Sequence, residues 1–185
     1  MNKYFTKVNF PVILDSYQII GLQKAFVNTI NGVDYGVKYF DVTTETNFWS
    51  ILPPEYHSDF YGRFMHVNSF LPPHIDDKDL TAILFYFSPD EFRTQYYDIL
   101  DPNHSYQRPD QEKGLVFNHS GLIATDSFIA QPNDVYIING SEVHEVMPVD
   151  YSAAKKFDRK AIRLSTSKYS YQEVVNMVDN HLSNK

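Results

Sequence analysis

From about residue 36 onward the chain is a succession of short segments rich in β-branched and aromatic residues: VKYFDV, NFWSIL, RFMHVNSFL, LTAILFYF, GLVFN, SFIA, DVYII, VHEVM and KAIRLST. Gly, Pro, Asn and Asp stand between them. Segments this short cannot bury an apolar face alone, and at such close spacing they predict a sandwich or barrel of many strands. With 185 residues, 43% of them apolar, the chain has enough material for one compact domain with a substantial core and is short for two.

The two ends depart from this pattern. Residues 4–14 (YFTKVNFPVIL) read as a strand. Asp15 or Ser16 then offers a side-chain oxygen to cap a helix. Ile19, Ile20, Leu22, Ala25, Phe26, Val27 and Ile30 recur at three- and four-residue steps, which predicts an amphipathic helix as far as Gly32. Near the C-terminus, Ser170 and Glu173 form a capping-box pattern ahead of Val174, Val175, Met177, Val178 and Leu182, so a closing helix is expected over 170–184. Residues 88–113 and 148–158 read as long loops, which on a compact β scaffold often serve as lids or specificity elements. The expected organisation is one domain: a strand and helix support over about 1–58, a β core over about 60–167, and the last helix.

Charge and composition remove several classes of function. Lys plus Arg number 16 against 23 for Asp plus Glu, a net charge of −7 with no basic run, which disfavours a nucleic-acid partner held by bulk charge. The chain has no cysteine, so disulfides, thiolate nucleophiles, iron–sulfur clusters and Cys-type zinc sites are excluded. Any metal must be held by His, Asp or Glu. The opening MNKYFTKVNFPVI lacks a signal-peptide pattern and no window is apolar enough for a membrane span, so a cytoplasmic protein without a membrane partner is the expectation.

Attention then falls on the 7 histidines. In LPPHIDDKD, His74 and Asp76 are two apart, and in extended backbone such residues share a face. His144, in INGSEVHEVMP after the apolar DVYII, offers a third ligand from another strand. Two imidazoles and one carboxylate leave three positions of an octahedral ion open, the arrangement of non-haem Fe(II) oxygenases. Spacing alone is weak, because a chain of this composition yields about half a His-x-Asp pair by chance. A second pair, His57-Ser58-Asp59, is indeed present. Context separates the two: His74 and Asp76 stand between strand-like runs, whereas His57 and Asp59 lie in the polar, Pro-rich PPEYHSDFYG. His57, His66, His104, His119 and His181 receive no role, although His66 lies on the strand that leads toward the site. Asp77 and Asp79 read as solvated loop charges, Trp49 as structural, and the 14 Tyr and 14 Phe as core. Tyr96, Tyr97 and Tyr106, in the stretch 88–113, are alternative substrate contacts.

Taken in order, several features resemble the 2-oxoglutarate- and Fe(II)-dependent dioxygenases, in particular their prolyl-hydroxylase-like branch. They are a strand leading into His-x-Asp, an apolar strand with a tyrosine behind it (AILFYF), a Pro-Asn-Asp turn before another (QPNDVYII), His-Glu-Val-x-Pro, and a basic residue opening a final strand (DRKAIRLS). The resemblance spans roughly residues 60–167. It implies a double-stranded β-helix, or jelly-roll, core of the cupin type, with Fe(II) on His74, Asp76 and His144. It further implies O2 and 2-oxoglutarate as co-substrates, and hydroxylation of a C–H bond in a peptidyl, amino-acid or other small-molecule substrate. A basic residue after the distal His would pair with the far carboxylate of 2-oxoglutarate through parallel charge-assisted hydrogen bonds. Arg159 opens the final strand and is preferred; Arg163, in an Arg-x-Ser arrangement with Ser165, is the other candidate. Alternation places both arginines on one strand face and hence in one pocket, and Tyr86 is expected to add a hydroxyl to the same carboxylate. The alternatives are a cupin-type metalloenzyme that does not use 2-oxoglutarate, for which both arginines are dispensable, and a non-catalytic jelly-roll binding module. Nucleobase demethylation is a third, disfavoured by the acidic balance.

Overall fold

The strand-like runs pair into two antiparallel sheets in a computed structural model that describes residues 2–11, 19–30, 33–42, 47–67, 70–76, 78–87, 92–107, 114–149 and 159–185. In chain order the strands are β1 (Phe5–Val8), β2 (Ile19–Ile30), β3 (Val33–Val42), β4 (Tyr61–Val67), β5 (Leu71–His74), β6 (Thr81–Tyr86), β7 (Phe92–Ile99), β8 (Ser105–Gln107), β9 (Leu115–Phe117), β10 (Leu122–Phe128), β11 (Val135–Asn139), β12 (His144–Pro148) and β13 (Arg159–Thr166); helix α1 (Tyr171–Ser183) follows. The first sheet runs β1-β11-β6-β13-β4-β3-β2 and the second β10-β7-β12-β5-β9-β8. From β4 on, the chain crosses between sheets at each step except over β7–β10, which stay in the second: β4, β6, β11 and β13 lie in the first, β5, β7, β10 and β12 in the second. That interleaving is a jelly roll, extended at its edges by β1–β3 and by β8 and β9, and its two sheets do not close into a barrel.

Burial explains why β6 reads as a continuous apolar run. All six of its residues are buried, because both faces of the first sheet are covered. Ala82, Leu84 and Tyr86 face the gap between the sheets, where they join Met65, Val67, Tyr96 and Ala161. Ile83 and Phe85 face the other way, into a cluster with Ile162, Leu164 and the apolar side of α1 (Val174, Val175, Val178). Each such fully buried side chain contributes roughly 1.5–3 kcal/mol. Helix α1 begins as expected: Ser170 Oγ accepts from the Glu173 N–H while the Glu173 carboxylate accepts from the Ser170 N–H.

Three sequence expectations are corrected. Residues 19–30 form strand β2 and not a helix. The pairing of Ile30 with Val33 leaves Asn31-Gly32 between them, a dipeptide that favours tight hairpins. The ladder with β3 shifts register between Ile20 and Leu22 and between Leu22 and Lys24, and runs unbroken from Lys24 to Ile30, so the helix-like spacing of the apolar residues is overridden by strand pairing. The expected helix start at residues 15 and 16, and residues 12–14 of the first predicted strand, lie outside the described residues. Second, NFWSIL is a 3-10 helix (Asn47–Ile51) whose Phe48, Trp49 and Ile51 are buried against the first sheet, with Phe48 5.1 Å from Phe85. Third, residues 88–113 are not one loop. They contain β7 in the middle of the second sheet and β8 at its edge. In β7, Phe92, Thr94 and Tyr96 are buried while Arg93 and Gln95 are only partly so, and the polar outward residues mask the strand in the sequence. Residues 148 and 149 end β12 and its turn, and 150–158 lie outside the described residues.

Candidate metal centre

Strand β5 is short because Pro72 and Pro73 carry no N–H to donate to a ladder. It ends on His74, which sits opposite His144 of β12, and His144 in turn sits opposite Tyr96 of β7. Cross-strand partners point to one face, so His74, His144 and Tyr96 form a row along the inner face of the second sheet. Just past β5 the Asp76 N–H donates to the Gly140 carbonyl in the turn between β11 and β12 (3.0 Å). One ligand atom from each of His74, Asp76 and His144 lies within 4.8 Å of the others. The two imidazole rings are 4.5 Å apart, and His74 Nε2 is 3.6 Å from Asp76 Oδ1.

The hydrogen bonds around these groups suit a divalent ion. His74 Nδ1 is 2.7 Å from the Pro72 carbonyl and His144 Nδ1 is 2.9 Å from the Glu142 carbonyl. A carbonyl only accepts, so each Nδ1 carries a proton and Nε2 is the ring nitrogen left to face a ligand. Burial, reinforced by the neighbouring His74, pushes His144 down to about 4, so it stays neutral. For Asp76, burial opposes the charge, but the Arg163 guanidinium and the contact with His74 outweigh it and hold the carboxyl well below the usual range. The donor set thus consists of two imidazole nitrogens and one anionic carboxylate, which suits a divalent first-row metal ion.

The two arginines of β13 have different partners. Arg163 Nη2 reaches Asp76 Oδ2 at 2.6 Å and Asp79 Oδ2 at 3.0 Å, and its Nε donates to Ser165 Oγ at 2.7 Å. Asp79 is therefore no solvated loop charge; it also accepts from the Tyr61 hydroxyl. Asp77 lies outside the described residues. Arg159 is buried, 1% exposed, and its Nη2 donates to the Tyr86 hydroxyl and to Thr94 Oγ1 (2.9 Å). Thr94 precedes Tyr96 by two residues on β7. The Arg159 contact and the histidine row therefore stand one two-residue step apart, about 7 Å along the strand.

Sequence reasoning passed over Thr94 and left Tyr96 in a loop. Tyr96 is fully buried, its ring 5.5 Å from that of His144, and its hydroxyl has no hydrogen-bond partner among the described residues. The only signal for either was the alternation along β7. Tyr97 is buried on the opposite face, where its hydroxyl and His119 Nε2 (3.0 Å) both meet the Glu145 carboxylate; Tyr106 is half exposed on β8. His66 alternates with Met65 and Val67 on β4 and so faces away from the inter-sheet gap. The rival pair is apart from all of this. His57 lies in a 3-10 helix (Pro54–Asp59), its Nε2 3.2 Å from the Leu52 carbonyl, and Asp59 accepts from Lys168 Nζ (2.7 Å) and the Tyr169 hydroxyl (2.6 Å).

No family profile matches the chain, and no characterised protein sequence matches it. Solved structures similar to it include vicilin from hazelnut, Corylus avellana (7% identity, TM-score 0.38, 71% of this chain and 28% of that one). Others are E. coli ycfD (11%, TM-score 0.43, 76% and 36%) and vicilin from Solanum melongena (10%, TM-score 0.39, 80% and 35%). The chain spans about a third of the length of each. Likeness this distant carries no weight of its own, and the jelly-roll assignment rests on the strand order. No helix among the described residues is long and apolar enough to cross a membrane.

Proposed function

We propose that the protein is an Fe(II)- and 2-oxoglutarate-dependent dioxygenase that hydroxylates a C–H bond of a peptidyl, amino-acid or other small-molecule substrate. One observation carries this reading: the His74, Asp76 and His144 donors share the inter-sheet space with the buried guanidinium of Arg159, one strand step away. A metal site alone fits many chemistries. A metal site beside a buried cation with two hydroxyls fits a small diacid that is anchored at one end and chelates at the other.

In this reading Fe(II) is held by His74 Nε2, His144 Nε2 and Asp76, and when bound it supplies the activation of O2 that no side chain provides. Arg159, assisted by Tyr86 and Thr94, holds the far carboxylate of 2-oxoglutarate through charge-assisted hydrogen bonds. Tyr96, whose buried hydroxyl lies beside the His144 ring, aligns whatever occupies the space between triad and guanidinium. Met65, Val67, Leu84 and Ala161 line the gap and limit water there.

The test is anaerobic titration with Fe(II) and then 2-oxoglutarate, following the visible charge-transfer band of a chelated keto acid. The band is expected in the wild type, absent in His74→Ala, and shifted to much higher 2-oxoglutarate concentration in Arg159→Ala. Metal uptake with a band indifferent to Arg159 would favour a cupin-type metalloenzyme that does not anchor a diacid. No metal uptake would return the protein to the binding modules.

A further inference from the structure

Asp76 is gripped on one side only. Its Oδ1 faces His74 Nε2 at 3.6 Å, on the side where the other donors converge, whereas its Oδ2 lies 2.6 Å from Arg163 Nη2. Arg163 cannot easily swing away, because Asp79 Oδ2 and Ser165 Oγ hold the same guanidinium at 3.0 and 2.7 Å. The turn at Gly140 closes over the same oxygen. A Cβ placed on Gly140 would lie 2.8 Å from Asp76 Oδ2 and 2.4 Å from the Asp79 carbonyl, so only glycine lets the two loops approach this closely.

A carboxylate ligates an ion through one oxygen or both. We infer that Arg163, braced by Asp79 and Ser165, makes Asp76 a one-oxygen ligand and thereby keeps three coordination positions of the bound ion open. Arg163 is a positioning residue in this scheme: it touches the ligand and not the metal, and it leaves the co-substrate to Arg159. The consequence is specific to the proposed chemistry, on which the inference rests. A keto acid takes two positions, and O2 needs a third. With Arg163 removed, Oδ2 turns to the metal, Asp76 chelates, and only two positions remain.

Mn(II) probes this without turnover, because it accepts octahedral oxygen and imidazole donors and its inner-sphere waters are counted by water-proton relaxivity. Wild-type protein loaded with Mn(II) is expected to hold three waters, and one after addition of 2-oxoglutarate. Arg163→Gln is expected to hold two, a fall in inner-sphere relaxivity of about one third, and none with 2-oxoglutarate. Arg163→Lys, which keeps a cation against Oδ2, is expected to restore most of the wild-type count.

A wild-type count of two waters overturns the inference without recourse to any variant. Should Arg163→Gln fail to fold, Arg163→Lys with its weaker grip decides: a count between two and three supports the inference and a count still at the wild-type three overturns it; where Arg163→Gln folds, an unchanged count in that variant overturns it. If the wild type holds three waters and 2-oxoglutarate displaces none, the proposed co-substrate is wrong while the role of Arg163 stands.

Discussion

Two His-x-Asp tripeptides with the same spacing have opposite surroundings in this molecule. His57 and Asp59 lie on a 3-10 helix, where residues two apart diverge around the axis and cannot share an ion. Each is also engaged: Asp59 by Lys168 and Tyr169, and His57 by the Leu52 carbonyl. His74 and Asp76 lie at the end of a strand that leans on β12, and the third donor arrives from across that pairing. The tripeptide is thus nearly without information, and the backbone beneath it determines whether it chelates.

The comparison breaks most readily at the two aspartates. Asp76→Asn leaves the Arg163 guanidinium, 9% exposed in its side chain, without its nearer counter-charge, and removing one partner of a buried pair costs about 3–5 kcal/mol. Chemical denaturation should show that loss, while Asp59→Asn, which loosens an exposed contact with Lys168, should leave the transition nearly unmoved. Equal shifts in the two variants would erase the distinction.

Acid sharpens the contrast. His144 titrates near 4 when folded and near its ordinary 6.5 when unfolded, so between those values the unfolded chain binds a proton that the folded protein does not. Stability of the metal-free protein should therefore fall as pH drops from 6.5 to 4, by roughly 3 kcal/mol. His144→Gln should flatten that slope, measured by denaturation midpoints across the window. Asp76, held low by Arg163, should add its own loss only at still lower pH.

Metal affinity separates the histidines directly. His74→Ala should weaken Mn(II) or Fe(II) binding by more than ~100-fold, as loss of a ligand exceeds the 10–100-fold typical of outer partners. His57→Ala should leave the binding isotherm where it was. The smallest effect is expected beside the rival pair, at the start of α1, where Ser170→Ala removes a capping oxygen and should cost about 1 kcal/mol with metal binding intact.

Much of this architecture was legible because it depends on local pattern. The strands β4, β6, β11, β12 and β13 follow from runs of Val, Ile, Phe and Leu, and α1 from its capping box. The triad was legible as a possibility, since without cysteine only His and carboxylates remain to bind a metal. What misled was local pattern that pairing overrode. In β2 apolar residues at helical spacing lie on a strand held by its pairing with β3, and in β7 the polar outer face hid an interior strand. The two arginines of β13 share a face as alternation requires, yet Arg163 turns to Asp76 and Arg159 to Tyr86 and Thr94. Those partners come from β6, β7 and the loop after β5.

The sequence by itself determined that the chain would form many short strands around an aromatic core, that a helix would close it, and that any metal would rest on histidine and carboxylate. These are consequences of side-chain shape, capping and composition, which act over a few residues. Tertiary structure alone decided which His-x-Asp pair has a third donor, which arginine meets Asp76 and which meets Tyr86 and Thr94, and that Tyr96 stands in the histidine row. The physical reason is that strand pairing joins residues some 50 to 70 positions apart, such as Tyr96 and His74 with His144, and the free energy of that pairing is spread over two whole sheets.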